Sequence, residues 1–264
     1  MVRTSFSIVV MLAAAGPAVL RAQAPHYRLA QLPCSAFDET VRTEIRGASG
    51  TATVQSRAGR EGLLVVRLRD STAGMVAEAR YDSLTVWRGE GIDREAPDTD
   101  GLIGGIYRGI LTPDGRYRPI REPYVPGELA EVAELATAMD DFLPRLPGTV
   151  IDPGGEWSDS GYTVKRLSDR HGANFVAHRY RWTATGRRGE RIAAGDSSTV
   201  TLDQAIEEEG EMLWTPEHGP LSWSRRIRVS ARIPATGGVR RAVRSVVEQR
   251  IDVVRRFDLT PDCR

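Results

Sequence analysis

The sequence holds few of the residues that usually carry chemistry. Its four histidines, His26, His171, His178 and His218, stand apart, with no H-x-x-x-H spacing and no cysteine at metal-ligand spacing. A zinc site of the usual ligand pattern is therefore not written in the chain. There is no G-x-S-x-G, so the nucleophile elbow of an α/β-hydrolase is excluded. The glycine-rich stretch 101–109 has no P-loop lysine and reads as a strand, which argues against phosphate binding there. No cofactor and no metal ligand set is implied. These absences point away from an enzyme. The remaining route to one is carboxylates that meet only in three dimensions, such as Glu122 and Asp159.

Lysine is almost missing too. Lys165 is the single lysine, and apart from the histidines every other basic side chain is arginine. This reads as a GC-rich, bacterial coding bias rather than a binding signature. The formal charge is +1, so no strong field draws the chain to nucleic acid or anionic lipid. Aromatic residues make up 6% and form no girdles, and arginines fall on both strand faces, which argues against an outer-membrane barrel.

What is present begins at the N-terminus. Arg3 precedes an apolar run over 6–20, followed by Ala22-Gln23-Ala24. A basic start, an apolar centre and an A-x-A site predict a signal peptide over 1–24, cleaved after Ala24. Residues 25–264 are then an exported, periplasmic or extracellular protein. No second apolar segment is long enough to span a bilayer as a helix. Cleavage removes Arg3 and Arg21 and no acid, leaving a formal charge of about −1. The two cysteines, Cys34 and Cys263, lie near the two mature ends. In an oxidising compartment they can form one disulfide; two free thiols are the alternative. A bridge closing so long a loop contributes roughly 4–5 kcal/mol in the chain-entropy model.

Residues 25–264 read as a single β-rich domain in two halves, about 35–125 and 148–257. Leu63-Leu64-Val65-Val66 reads as a buried strand, and Tyr81-Asp82-Ser83 as a bend or bulge. Asp114-Gly115 is a hairpin turn. Residues 174–185 alternate, with Val176, His178, Tyr180 and Trp182 on one face and Arg179 and Arg181 on the other. Residues 186–189 read as a polar turn, and Glu207-Glu208-Glu209 as a solvated one. The valine-rich segment 239–257 fits a helix or a strand. Its β-branched content favours a strand paired with 221–233. The acidic stretch 92–100 reads as a solvated loop, with a calcium site as the alternative. Arg225-Arg226 and Arg240-Arg241 read as a charged outer sheet face, or else as a basic patch.

Between the halves, residues 126–147 predict one long helix near 127–143. Leu129, Val132, Ala133, Ala136, Met139 and Leu143 recur at spacings of three and four and share one face. Pro126 suits a first turn, and Pro144 ends the helix. Such a helix either lies across a sheet or roofs an apolar cavity. In the second case those six residues form a ligand-binding face.

The order of these features carries a resemblance. An antiparallel meander leads through the Asp114-Gly115 hairpin into a helix and then Leu146-Pro147. Gly154-Gly155-Glu156-Trp157 and further strands follow, with a hairpin at Trp214-Thr215-Pro216-Glu217-His218-Gly219. This resembles exported β-sheet proteins of bacteria that are similar in outline to the LolA and LppX lipoprotein and lipid carriers. The resemblance implies a mainly β (α+β) fold, a curved antiparallel sheet or half-barrel of about 10–12 strands with a covering helix. It implies a non-enzymatic protein that binds an apolar ligand, a lipid or a lipidated partner in the hollow of the sheet. The alternative is a ligand-free structural or interaction module of the cell envelope.

Overall fold

The computed structural model of the chain describes residues 24–263 except 73, 90–93, 128, 130–133, 141, 173–174, 194–198 and 235–241. The signal-peptide reading falls outside the described residues, apart from Ala24. Twelve strands follow in chain order. The first five are β1 (Ser35–Ser49), β2 (Ala52–Arg69), β3 (Val76–Arg88), β4 (Tyr107–Leu111) and β5 (Tyr117–Arg121). The second set is β6 (Glu156–Asp159), β7 (Tyr162–Arg166), β8 (Arg170–His171), β9 (Val176–Ala193), β10 (Thr199–Thr215), β11 (Gly219–Ile233) and β12 (Val243–Arg256).

They form one 12-stranded antiparallel sheet in the order β5-β4-β3-β2-β1-β12-β11-β10-β9-β7-β6, with β8 beside β9. Each half of the chain is a meander of sequence neighbours. The halves meet where the first strand pairs with the last, Ala36 opposite Arg256 and Ser49 opposite Val243. The sheet does not close into a barrel, and β5 and β6 are its edges. It curls enough for Arg116, at the β4–β5 turn, to reach Asp159 of β6 at 3.2 Å.

Alternation explains most of this. Along β9, Tyr180 and Trp182 are buried while Arg181 is exposed. The valine-rich tail is β12, paired with β11 from Ser222–Val254 to Ile233–Val243. Asp82 is the extra residue of a bulge between β2 and β3, where the register shifts at Leu63/Leu64. Gly115 supplies the positive φ, 92°, of the β4–β5 turn. Residues 186–189, expected as a turn, lie inside β9, and the Glu207–Glu209 run lies inside β10. Pairing with β10 holds 186–189 extended, and β9 and β11 flank the Glu207–Glu209 run on both sides.

The expected long helix near 127–143 is not found among the described residues. Among the described residues of this stretch only Gly127 and Leu129 carry helical backbone; 136–140 are turns and 144–147 have no regular structure. The hydrogen bonds seen here span three residues, Asp140 N–H to the Thr137 carbonyl at 3.0 Å and Ala138 N–H to that of Leu135 at 3.3 Å. Tyrosines from other parts of the chain bind carbonyls in and just after this stretch. Tyr107 donates to Leu135 O, Tyr27 to Pro144 O and Tyr162 to Arg145 O, at 2.7, 2.9 and 3.2 Å. Tertiary bonds thus override a helical pattern that the acids at its C-terminal end already weaken. The described residues of 122–155 form an irregular strap that carries the chain from one edge of the sheet to the other.

The strap drops Leu129, Leu135, Met139, Phe142, Leu143 and Leu146 into the core, each 5% exposed or less. Phe142 meets Trp223 and Phe37 edge-to-face, at centroid distances of 5.0 and 5.7 Å. Cys34 and Cys263 are joined in a disulfide that ties the two ends together.

Candidate functional site

The inward face of the sheet can be read in transverse rows from its register. At the closed end the row through Trp223, Val253, Glu39 and Gly62 lies under the strap. One step further the row holds Arg225, Ile251, Val41 and Arg60. Beyond Ile227, Gln249, Thr43 and Ala58 comes the row Ile206, Val229, Val247, Ile45 and Ser56. The outermost rows hold Ala231 and Gly47, then Ile233 and Val243. The strap's buried side chains fill the first rows. Among the described residues nothing covers the last three. There Ile206, Val229, Ile233, Val243 and Val247 are half-buried, Ile45 is 37% exposed and Val54 66%.

Between these two regions runs a charged band of two matching groups. On one side of the β1–β12 seam, Arg60 grips Glu39 with Nε and Nη2 at 3.0 and 2.9 Å, and Tyr81 donates to the same carboxylate at 2.6 Å. On the other side, Arg225 reaches Glu208 at 3.2 Å, and Trp182 Nε1 donates to it at 2.8 Å. In each group a glycine makes room for the ring. A Cβ on Gly62 would stand 3.0 Å from the Tyr81 ring, and one on Gly210 would stand 2.2 Å from Trp182.

The first group is deeply buried, Arg60 and Glu39 being 4% and 1% exposed at their side chains. Burial alone works against the Arg60 charge, but the Glu39 carboxylate beside it outweighs it. The guanidinium is held charged, its pKa above the ordinary arginine value. Burial pushes the Tyr81 phenol well above its usual value, so it stays a neutral donor. Glu39 and Glu208 therefore accept from donors on both flanks, the arrangement of a locked ion pair.

Two concavities flank the band. One of about 250 Å³ is walled by Glu39, Arg60, Glu134, Arg225, Phe142 and Trp223, among others. A second of about 200 Å³ lies towards Arg145 and Glu208. A larger trough of about 570 Å³ lies on the outer face, over Ser222 and Ser224 between Glu211 and Asp252. It is open to solvent, and a gap between taller charged neighbours accounts for it.

Of the residues expected on a ligand-binding helix face, Leu129, Met139 and Leu143 are buried against the sheet and Ala136 is half-buried. Val132 and Ala133 lie outside the described residues. Asp159 is taken up by Arg116 and Arg145. His178 contacts Asp169 and Arg166. In the acidic stretch 92–100, Glu95 pairs with Arg88, and the Asp98 side chain accepts from the Asp100 N–H. The arginine doublet divides by alternation: Arg226 points out towards Glu248, and Arg225 points in. Arg240 and Arg241 lie outside the described residues. The band itself was missed by reading runs of charge. Its signal was phase: Glu39 lies between Phe37 and Val41, and Arg225 between Trp223 and Ile227, on the apolar face of each strand.

No family model and no curated protein matches the chain. Among solved structures the chain is similar to lipovitellin, in a structure of its lipid–protein interactions, at 11% identity and a TM-score of 0.45. That match covers 89% of this chain and 26% of lipovitellin, so the chain spans about a quarter of it. A LolA superfamily protein from Nitrosomonas europaea is similar at 11% identity and a TM-score of 0.19, covering 84% of this chain and 87% of that one. A DUF1329 family protein from Desulfovibrio piger is similar at 9% identity and a TM-score of 0.18, covering 86% and 87%. Among the described residues no helix is long and apolar enough to cross a membrane.

Proposed function

We propose that this is an exported, non-enzymatic protein that holds an apolar ligand, a lipid or the acyl chain of a lipidated partner, on the open half of its concave sheet face. The observation that carries this reading is the uncovered aliphatic surface. Ile206, Val229, Val247 and Ile45 stand side by side on β10, β11, β12 and β1. The outward residues between them, Arg226, Arg228, Arg232 and Arg244, are exposed. A sheet whose outer face is this charged and whose inner face is this aliphatic is built to cover something apolar. The disulfide fits an oxidising compartment outside the cytoplasm. The acids of the charged band are locked to arginines, which favours binding over acid–base work.

The test is native mass spectrometry of mature protein purified from the bacterial envelope, with organic extraction of whatever is bound. A stoichiometric acyl-chain molecule, lost in Val229→Asp and Val247→Asp, supports the reading. A clean apo mass with no uptake of added lipids overturns it and leaves the ligand-free envelope module. The filled closed half favours that second reading, because there the strap already occupies the hollow.

A further inference from the structure

The formal charge of the chain is only +1, yet on the outer face of the sheet charge is unevenly spread. On β9–β12 outward arginines alternate with acids. Arg179 meets Glu211 at 3.5 Å, Arg226 meets Glu248 at 3.6 Å and Arg250 meets Asp252 at 2.9 Å. The other end of the sheet is different. There the register lays two neighbouring rows across β2, β3, β4 and β5. One holds Arg67, Glu78, Arg108 and Arg121, the other Arg69, Val76, Ile110 and Arg118. Both rows face outwards, because Leu68, Ala77, Tyr107 and Leu111, in the opposite phase, belong to the core.

The five arginines of these rows share one carboxylate. Glu78 accepts from Arg67 at 2.8 and 3.1 Å and lies 3.4 Å from Arg69 and 3.7 Å from Arg108. Among the described residues Arg118 and Arg121 have no acidic partner. Arg121 stands directly opposite Arg108, a like-charged pair that works against the sheet. Counting Asp70 and Glu122, the acids that follow β2 and β5, still leaves an excess of two positive charges.

Edge protection explains part of this. β5 is an edge strand, and Arg118, Pro119 and Arg121 discourage other chains from adding to it. It does not explain Arg67 and Arg69 on β2, or the apolar side chains left exposed beside the arginines. Ile120, the extra residue of a bulge between β4 and β5, is 60% exposed, Tyr124 84% and Ile106 43%. Ile106 stands beside Arg67 and Arg80. Arginines interleaved with isoleucine and tyrosine suit an anionic bilayer surface: the cations meet phosphates while the apolar groups enter the head-group boundary. The patch is a broad face four strands wide, about 15 Å. The concavity beside it, of about 50 Å³, is too small for a ligand of its own.

We propose that this outer corner docks the protein on anionic phospholipid bilayers. It lies on the face opposite the aliphatic hollow and stands whether or not the hollow holds a ligand.

The test is flotation of the mature protein with vesicles of phosphatidylcholine, alone or with an equal share of phosphatidylglycerol. Binding is expected only to the anionic vesicles, and it should fall as salt is raised. The triple change Arg108→Ser, Arg118→Ser, Arg121→Ser should weaken it by about a hundredfold, at roughly fivefold per arginine. Arg108→Lys, Arg118→Lys, Arg121→Lys should restore most of it, because the bilayer reads charge rather than shape. If the triple serine variant does not fold, Arg118→Ser with Arg121→Ser, both exposed on the edge, gives the same reading at about twenty-five-fold. Arg226→Ser with Arg228→Ser on the balanced end, and Val229→Asp in the hollow, should leave docking unchanged. No vesicle binding overturns the proposal, as does anionic binding that survives the serine variants or falls equally in the Arg226 and Arg228 pair. Binding to both vesicle types that Val229→Asp abolishes also overturns it and assigns the contact to the aliphatic face. A protein that docks but yields no extracted ligand breaks the ligand reading and leaves this one standing.

Discussion

The closed and open halves of the concave face are made from the same strands, with the same alternation, and differ only in what lies above them. Over the closed half the strap supplies six large apolar side chains, and Phe37, Trp223 and Phe142 pack edge-to-face. Over the open half the inward residues are smaller and aliphatic. The band of Glu39, Arg60, Arg225 and Glu208 runs along the boundary. Strand periodicity decides which residues face inward. A different element, far away in sequence, decides which of them become core and which remain surface.

That contrast can be broken by mutation. Trp223→Ala in the closed half is expected to cost about 3–5 kcal/mol, as large aromatic deletions in packed cores do. Val229→Ala, three rows away on the same strand face, is expected to cost below about 1 kcal/mol, because little of its surroundings is core. Urea unfolding midpoints compare the two, and equal costs would mean that the open half is packed in solution.

At the boundary, Glu39→Ala strands Arg60 in a buried site and is expected to cost about 3–5 kcal/mol. The double change Glu39→Leu with Arg60→Met recovers most of it if the pair serves register more than stability. Its counterpart Glu208→Ala sharpens the comparison. Glu208 is 20% exposed against 1% for Glu39, so water can take over part of its role and the loss should be clearly smaller. Reduction of the Cys34–Cys263 bridge frees a separation of 229 residues. It is expected to lower stability by about 2–5 kcal/mol, read as a shifted urea midpoint with and without reductant.

The smallest effect concerns the strap's anchor. Hydrogen bonds from Ser160 and Arg145 hold the Asp159 carboxyl below its usual pKa, with the charges of Arg145 and Arg116 adding to them. A depressed carboxylate stabilises the fold above its unfolded pKa, about 3.9, and loses that contribution as pH falls through its folded value. Protection of the amides in 142–147, corrected for their intrinsic exchange rates, should therefore hold at pH 5 and fall as pH drops below about 4. Asp159→Asn should show the lower protection at both pH values with little change in melting temperature.

Much of the sheet was legible because alternation is a local signal. Tyr180 and Trp182 against Arg181, or Val247 and Ile251 against Glu248 and Arg250, give their phase without knowledge of any partner. The bulge at Asp82 and the turn at Gly115 were equally local. The strap was not. Its apolar spacing of three and four fits a helix, yet the residues that anchor the strap, Tyr27, Tyr107 and Tyr162, come from three distant parts of the chain. Gly186 and Gly189 read as a turn because nothing local shows that β10 pairs alongside them. The charged band was half-legible. Its residues lie in the apolar phase of their strands, but a run such as Glu207–Glu209 draws the eye to composition rather than phase.

The β1–β12 pairing has a consequence for how this protein comes into being. Each meander joins strands that are close in sequence and can zip up as it is made. The seam joins residue 36 to residue 256, a contact of very long range whose closure is entropically costly and slow. A chain emerging N-terminus first must therefore hold the long edge of β1 unpaired until its last strand is free. During that interval the nascent protein presents its most adhesive backbone, and assistance in folding would matter most there.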